Sequence, residues 1–109
     1  MSRYFPTPDE CSRHTIFPGV NIRTCATERM MVSIVELEAH SVVAEHSHPH
    51  DQVGMLLQGR VRFIIGGEEK VLGPGDIWCI PGGVKHGVIT LDEPARAIDI
   101  FHPIREDYV

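Results

Sequence analysis

No run of lysine or arginine occurs anywhere in the 109 residues, and acidic side chains outnumber basic ones to leave a formal net charge of −5. A surface for nucleic acid or anionic lipid is therefore not expected, because both need clustered cations. No stretch approaches the roughly 18 consecutive apolar residues of a membrane-spanning helix. The opening MSRYFPTPDE lacks the charged-then-apolar run of a secretory leader, so a cytoplasmic protein is expected. Cysteine is scarce and odd in number: Cys11, Cys25 and Cys79, with no CxxC pair. That count does not suit a disulfide framework and reads as free thiols in a reducing compartment. Also missing is any helical 3.6-residue pattern sustained over three turns, which excludes a helical bundle.

What is present is an ordinary globular composition, 42% hydrophobic and 23% charged, in a length that suits one domain. Ten glycines and eight prolines divide the chain into short pieces that read as strands. Residues 30–37 are apolar and β-branched, and 53–57 form a second run closed by Gly59. Residues 60–65 alternate, with Val61, Phe63 and Ile65 on one face. Gly66-Gly67 then supplies a tight hairpin turn and residues 68–72 return. Ile77–Ile80 and Ala95–Phe101 follow, stopped by Pro81-Gly82-Gly83 and by Pro103. Short strands about ten residues apart, with glycine-rich turns, predict an all-β antiparallel sandwich or small barrel. Residues 1–29 are expected either as edge strands or as an arm for a partner subunit.

The seven histidines are the most informative feature. His46 and His48 stand two apart, so on a strand their imidazoles share a face, which is half of a divalent metal site. Pro49 should bend the chain, leaving Gln52 to re-enter on the next strand. His86 arrives from a different strand after Pro81-Gly82-Gly83. For the His-x-His pair alone, a solvated surface strand is as good a reading as a ligand pair. His50 reads equally as a pocket residue or as a bystander. His14, His40 and His102 have no partner spacing and read as surface or structural residues. Cys79 reads as a small core residue and Trp78 as packing or subunit interface.

At these residues the sequence resembles the cupins. Their first motif is Gly, five residues, His-x-His, three or four residues, Glu, six residues, Gly. His46, His48, Gln52 and Gly59 fit that spacing, with His40 in place of the leading Gly and Gln52 in place of Glu. Their second motif is matched by Gly75, Pro81, Gly83 and His86, with Thr90 in place of a final Asn. The resemblance implies a single cupin barrel, the double-stranded β-helix or jelly roll, with its motifs between about residues 30 and 103. It further implies a divalent metal on His46, His48, Gln52 and His86. Zn, Ni, Fe and Mn all suit such donors. A neutral Gln leaves the site one negative charge short of the usual set, which favours redox-neutral chemistry over oxygenation.

Asp99, Phe101 and Pro103 share a face of the last strand, with Arg105 just beyond. A carboxylate facing an apolar interior is costly unless it is paired or catalytic. From these residues alone an Asp99–Arg105 ion pair closing the barrel mouth is the slightly better reading. The Asp-x-Phe-x-Pro strand followed by Arg-Glu-Asp, however, resembles the C-terminus of the KdgF-type cupins of uronate catabolism. That resemblance implies ring opening of 4,5-unsaturated monouronates to linear keto sugars, with Asp99, Phe101 and Arg105 as functional residues. A homodimer formed through the outer sheet is also expected. The rival readings are a metal-dependent dioxygenase and a sugar-binding cupin without turnover. Oxygen consumption and loss of substrate absorbance, respectively, separate them from the uronate enzyme.

Overall fold

A computed structural model describes residues 4–109. The strands are β1 (Ser12–Phe17), β2 (Val20–Ala26), β3 (Met31–Leu37), β4 (Val42–His46), β5 (Asp51–Gln58), β6 (Val61–Ile65), β7 (Glu68–Leu72), β8 (Ile77–Ile80), β9 (His86–Thr90) and β10 (Ala95–His102). Single 3₁₀ turns at Pro8–Glu10 and Glu106–Tyr108 flank them. The strands form a six-stranded sheet in the order β1-β2-β3-β10-β5-β8 and a four-stranded sheet in the order β4-β9-β6-β7. Every pairing is antiparallel. This is the expected all-β fold, and no helix among the described residues is long and apolar enough to cross a membrane.

Local chemistry explains the elements. Gly66 and Gly67 both take positive φ, 56° and 84°, which a primed two-residue hairpin between β6 and β7 requires. Alternation puts Val20, Ile22, Val35 and Leu37 of the larger sheet against Val61, Phe63 and Leu72 of the smaller one. Thr90, where the second motif has Asn, is buried and accepts a hydrogen bond from Ser41 N while donating to Glu38 O. It thereby ties the start of β4 to the end of β9. His40 has φ of 59°, so the position of the motif's leading Gly keeps its left-handed backbone with a residue that tolerates it.

Residues 11–26, ambiguous in the sequence, supply β1 and β2, which extend the six-stranded sheet from β3. One expectation is overturned. Cys79 is exposed, because β8 alternates with Trp78 and Ile80 turned inward and Ile77 and Cys79 outward. Trp78 is buried, its ring centroid 4.9 Å from that of Phe63.

Gly54 lies in β5 opposite both Trp78 of β8 and Asp99 of β10. A Cβ there would collide with Asp99 Oδ1, Trp78 Nε1 and the Ile98 carbonyl oxygen. The missing side chain leaves the space in which Trp78 and Asp99 meet across the intervening strand. Gly54→Ala is expected to lower stability by about 3 kcal/mol, through overpacking and loss of that hydrogen bond. A thermal melt should show the midpoint falling by about 10 °C or more.

Candidate metal centre and adjoining pocket

His46 is the last residue of β4 and is in register with His86, the first of β9, so the two rings face each other at 4.5 Å between centroids. His48 lies beyond β4, where the chain bends at Pro49, and its ring centroid is 4.9 Å from that of His86. One ring nitrogen from each of the three histidines falls within 4.8 Å of the others, so these residues could hold a metal ion.

The protonation pattern fits a cation. His46 Nδ1 is 2.9 Å from Ala44 O, His86 Nδ1 is 2.9 Å from Val84 O, and His48 Nδ1 is 3.1 Å from His50 O. A carbonyl oxygen only accepts, so in His46 and His86 Nδ1 carries the proton and Nε2 offers a lone pair, and His48 can do the same. Burial pushes the His48 imidazole down to about 4, helped by the charges of Arg105 and His86. Burial lowers His86 as well. Near neutral pH both are uncharged donors. Gln52, buried on β5, directs Oε1 to within 3.1 Å of His48 Nε2. His48 thus faces an oxygen acceptor at each ring nitrogen, and a proton on Nε2 or a cation shared with Gln52 Oε1 satisfies the second contact. His50 contributes through its backbone carbonyl, and its own Nδ1 is buried without a hydrogen-bond partner.

Asp99 is buried on β10, facing the interior as Ala97 and Phe101 do. Its Oδ1 accepts a 2.8 Å hydrogen bond from Trp78 Nε1, and the Gln52 amide also bonds the carboxylate. Burial raises the carboxyl to about 6, against the opposing pull of those two hydrogen bonds and the Arg105 charge. Gln52 thus joins the histidine cluster to a carboxyl that exchanges its proton near neutrality.

The expected Asp99–Arg105 ion pair does not form. Arg105 instead bonds Asp107 Oδ2 at 3.0 Å, while its guanidinium carbon lies 4.0 Å from the centroid of Tyr108 and 5.4 Å from that of Phe101. The chain turns away after β10, and stacking on two rings draws the guanidinium past Asp99 to the pocket rim. Its side chain is 12% exposed, and its Nε is buried without a partner. Tyr108 is held by its carbonyl oxygen, which accepts from Thr24 Oγ1 at 2.7 Å and lies 3.1 Å from His14 Nε2. His46, Gln52, His86, Asp99, Phe101 and Arg105 all line one cavity between the sheets.

Sequence reasoning missed Gly54, Trp78 and Tyr108 as parts of this site. An isolated glycine inside an apolar strand was the available signal for the first of them. His14 proves structural, as expected, and His40 lies on the surface 3.6 Å from Asp92.

The Cupin domain model matches residues 33–101. The chain is 32% identical to the pectin degradation protein KdgF of Dickeya dadantii (strain 3937), covering all of both sequences. The solved structure of KdgF from Halomonas sp. superposes with a TM-score of 0.86 at 31% identity, over 96% of this chain and 97% of that one. An RmlC-like cupin from Shewanella frigidimarina NCIMB 400 superposes with a TM-score of 0.89 at 27% identity, over 99% and 97%. With the domain model spanning β3 to β10 and KdgF matched from end to end, the chain belongs to the cupin family.

Proposed function

We propose that the protein is a metal-dependent enzyme that opens the ring of 4,5-unsaturated monouronates to linear keto-uronates. The observation that carries this reading is the buried Asp99 carboxyl, raised to about 6 and hydrogen-bonded to Gln52 beside three convergent histidines. Likeness over full length to a pectin degradation protein supports the substrate class. Zn, Ni, Fe or Mn would be held by His46, His48, His86 and the Gln52 oxygen. When bound it supplies Lewis acidity that polarises and orients substrate oxygens.

The chain's own residues do the rest. Arg105 lines the cavity, carries a buried, unpartnered Nε and grips the uronate carboxylate. Phe101, whose ring centroid is 5.8 Å from that of His48, forms the wall against which the sugar ring lies. As the ring carbon–oxygen bond of the hemiacetal opens, the aldehyde forms and the former ring oxygen becomes an enol. Asp99 then moves a proton to the alkene carbon, which becomes a methylene, while the enol hydroxyl gives its proton to solvent and becomes the new ketone. Trp78 and Gln52 fix the carboxyl so that one face of the alkene is addressed. In deuterium oxide, early product should carry deuterium in a single diastereotopic position of that methylene, read by proton NMR. Equal labelling of both positions contradicts delivery by a fixed acid.

A second copy of the chain is the partner proposed for the outer face of the six-stranded sheet. Register places Ile100, Val53 and Cys79 in one row across β10, β5 and β8, and Ile98, Met55 and Ile77 in the next. Ile77 is 62% exposed and Val53 44%, an apolar patch on the side away from the pocket. Light scattering should report a dimer, and Val53→Lys with Ile77→Lys should yield a folded monomer. A monomeric wild type contradicts the assignment. An odd cysteine count without a CxxC pair supports a reducing, cytoplasmic setting.

A further inference from the structure

Cys11 and Cys25 face each other at the outer edge of the molecule, and the mechanism uses neither. Ser12 pairs with Thr24 in the β1–β2 ladder, so one step further along the same register brings Cys11 opposite Cys25. Cys11 N donates to Pro8 O. It is therefore not exchanging ladder bonds with Cys25, the arrangement in which facing side chains approach most closely. The two sulfurs are 2.9 Å apart, and both residues are partly buried. A disulfide at about 2.05 Å requires the sulfurs to approach by only about another 0.9 Å.

We propose that Cys11 and Cys25 are a reversible redox site, closed to a disulfide by a small-molecule disulfide of the glutathione class. The balance is simple. One cysteine, as thiolate, attacks a sulfur of the oxidised reagent, and one reduced thiol leaves. The other cysteine then attacks the mixed disulfide and the second reduced thiol leaves. The two protein protons end on the two released thiols, and the two electrons go to the reagent. The sulfur-to-sulfur approach is the same from either side, so whichever cysteine reacts first, the other is in place to close the bond. Burial, and then the hydrogen bond to Cys11, push the Cys25 thiol up to about 11 and keep it protonated. Once one cysteine is in the mixed disulfide, the other sulfur already lies beside it and closes the ring.

The closed bond joins the residue just before edge strand β1 to β2, at the end where these strands hold the C-terminal segment. Thr24, adjacent to Cys25, and His14, three residues after Cys11, both meet the Tyr108 carbonyl. Tyr108 in turn stacks under Arg105. Oxidation therefore stiffens the strand pair that anchors the arginine at the pocket rim. Because β1 has only β2 as a sheet neighbour, this edge gains most from a covalent tie.

The test treats the full-length protein with oxidised glutathione, counts thiols after denaturation and maps peptides by mass. The expected result is a fall from three thiols to one, a peptide joining Cys11 to Cys25, and a free Cys79. The melting temperature should rise by about 10 °C and return on reduction with dithiothreitol. Cys11→Ser and Cys25→Ser should each remove the rise, whereas Cys79→Ser should keep it. A glutathione adduct that persists on Cys11 or Cys25 without closing, or a bond involving Cys79, overturns the proposal.

Discussion

Asp99→Asn is expected to do two opposite things: to lose turnover of unsaturated uronate and to gain stability. The loss follows from the proton. Asn preserves shape and an oxygen to accept from Trp78, but it has no proton to exchange, so a fall of about 10²–10⁴ in kcat is expected. The gain follows from linkage. The folded carboxyl titrates at about 6, above its ordinary value of 3.8, because burial penalises its charge. Between those values the folded state binds more protons than the unfolded one, so stability declines as pH rises through that window. Above about pH 6 the wild type holds an ionised carboxylate in an apolar strand. The neutral amide relieves this and should stabilise the metal-free protein at pH 7 by about 2 kcal/mol. Melts of metal-free wild type from pH 4 to 7 should show a decline that the variant lacks. A variant less stable than wild type at pH 7 would show that the carboxylate is a structural anchor for Trp78 and Gln52.

The second large effect concerns the histidines. Wild type should carry close to one divalent metal per chain, and His46→Ala combined with His48→Ala should lose it. The cluster contains no carboxylate or thiolate to take over, since its remaining donors are one imidazole on His86 and one amide oxygen on Gln52. Two absent nitrogen donors should weaken binding at least a hundredfold. Elemental analysis of both proteins after dialysis decides the matter. Equal metal content would end the assignment of the ligands. The fold should survive, because His46 and His48 lie at and beyond the end of β4, outside the apolar core.

The β fold was legible because burial alternates with period two. Ile77–Ile80 and Ala95–Phe101 could be bounded by their glycines and prolines, and the structure places them within a residue of those limits. His46, His48 and His86 could be gathered because the spacing fixes which strand each occupies. Within the described part of residues 1–29, Ser12–Phe17 resisted because β1 is an edge strand with a weaker pattern, as its mixed burial illustrates. Cys79 was misplaced for a related reason. Ile77-Trp78-Cys79-Ile80 is apolar throughout, so alternation gave no phase, and the largest side chain took the interior. Trp78, Gly54 and Asp99 belong together only through register across three strands, which no local window of sequence contains. Asp99 and Arg105 looked like partners because they are close in sequence. Two aromatic rings, Phe101 and Tyr108, compete for the guanidinium and win.

The most direct test is the decay of ultraviolet absorbance of a 4,5-unsaturated galacturonate at pH 7, followed with metal-loaded wild type and with metal-loaded Asp99→Asn. Wild type should accelerate the decay well above the spontaneous rate, and Asp99→Asn should give under about 1% of that acceleration while carrying the same metal. Decay at the spontaneous rate with wild type, or at the wild-type rate with Asp99→Asn, would contradict the assignment of Asp99 as the group that moves the proton in a uronate-opening cupin.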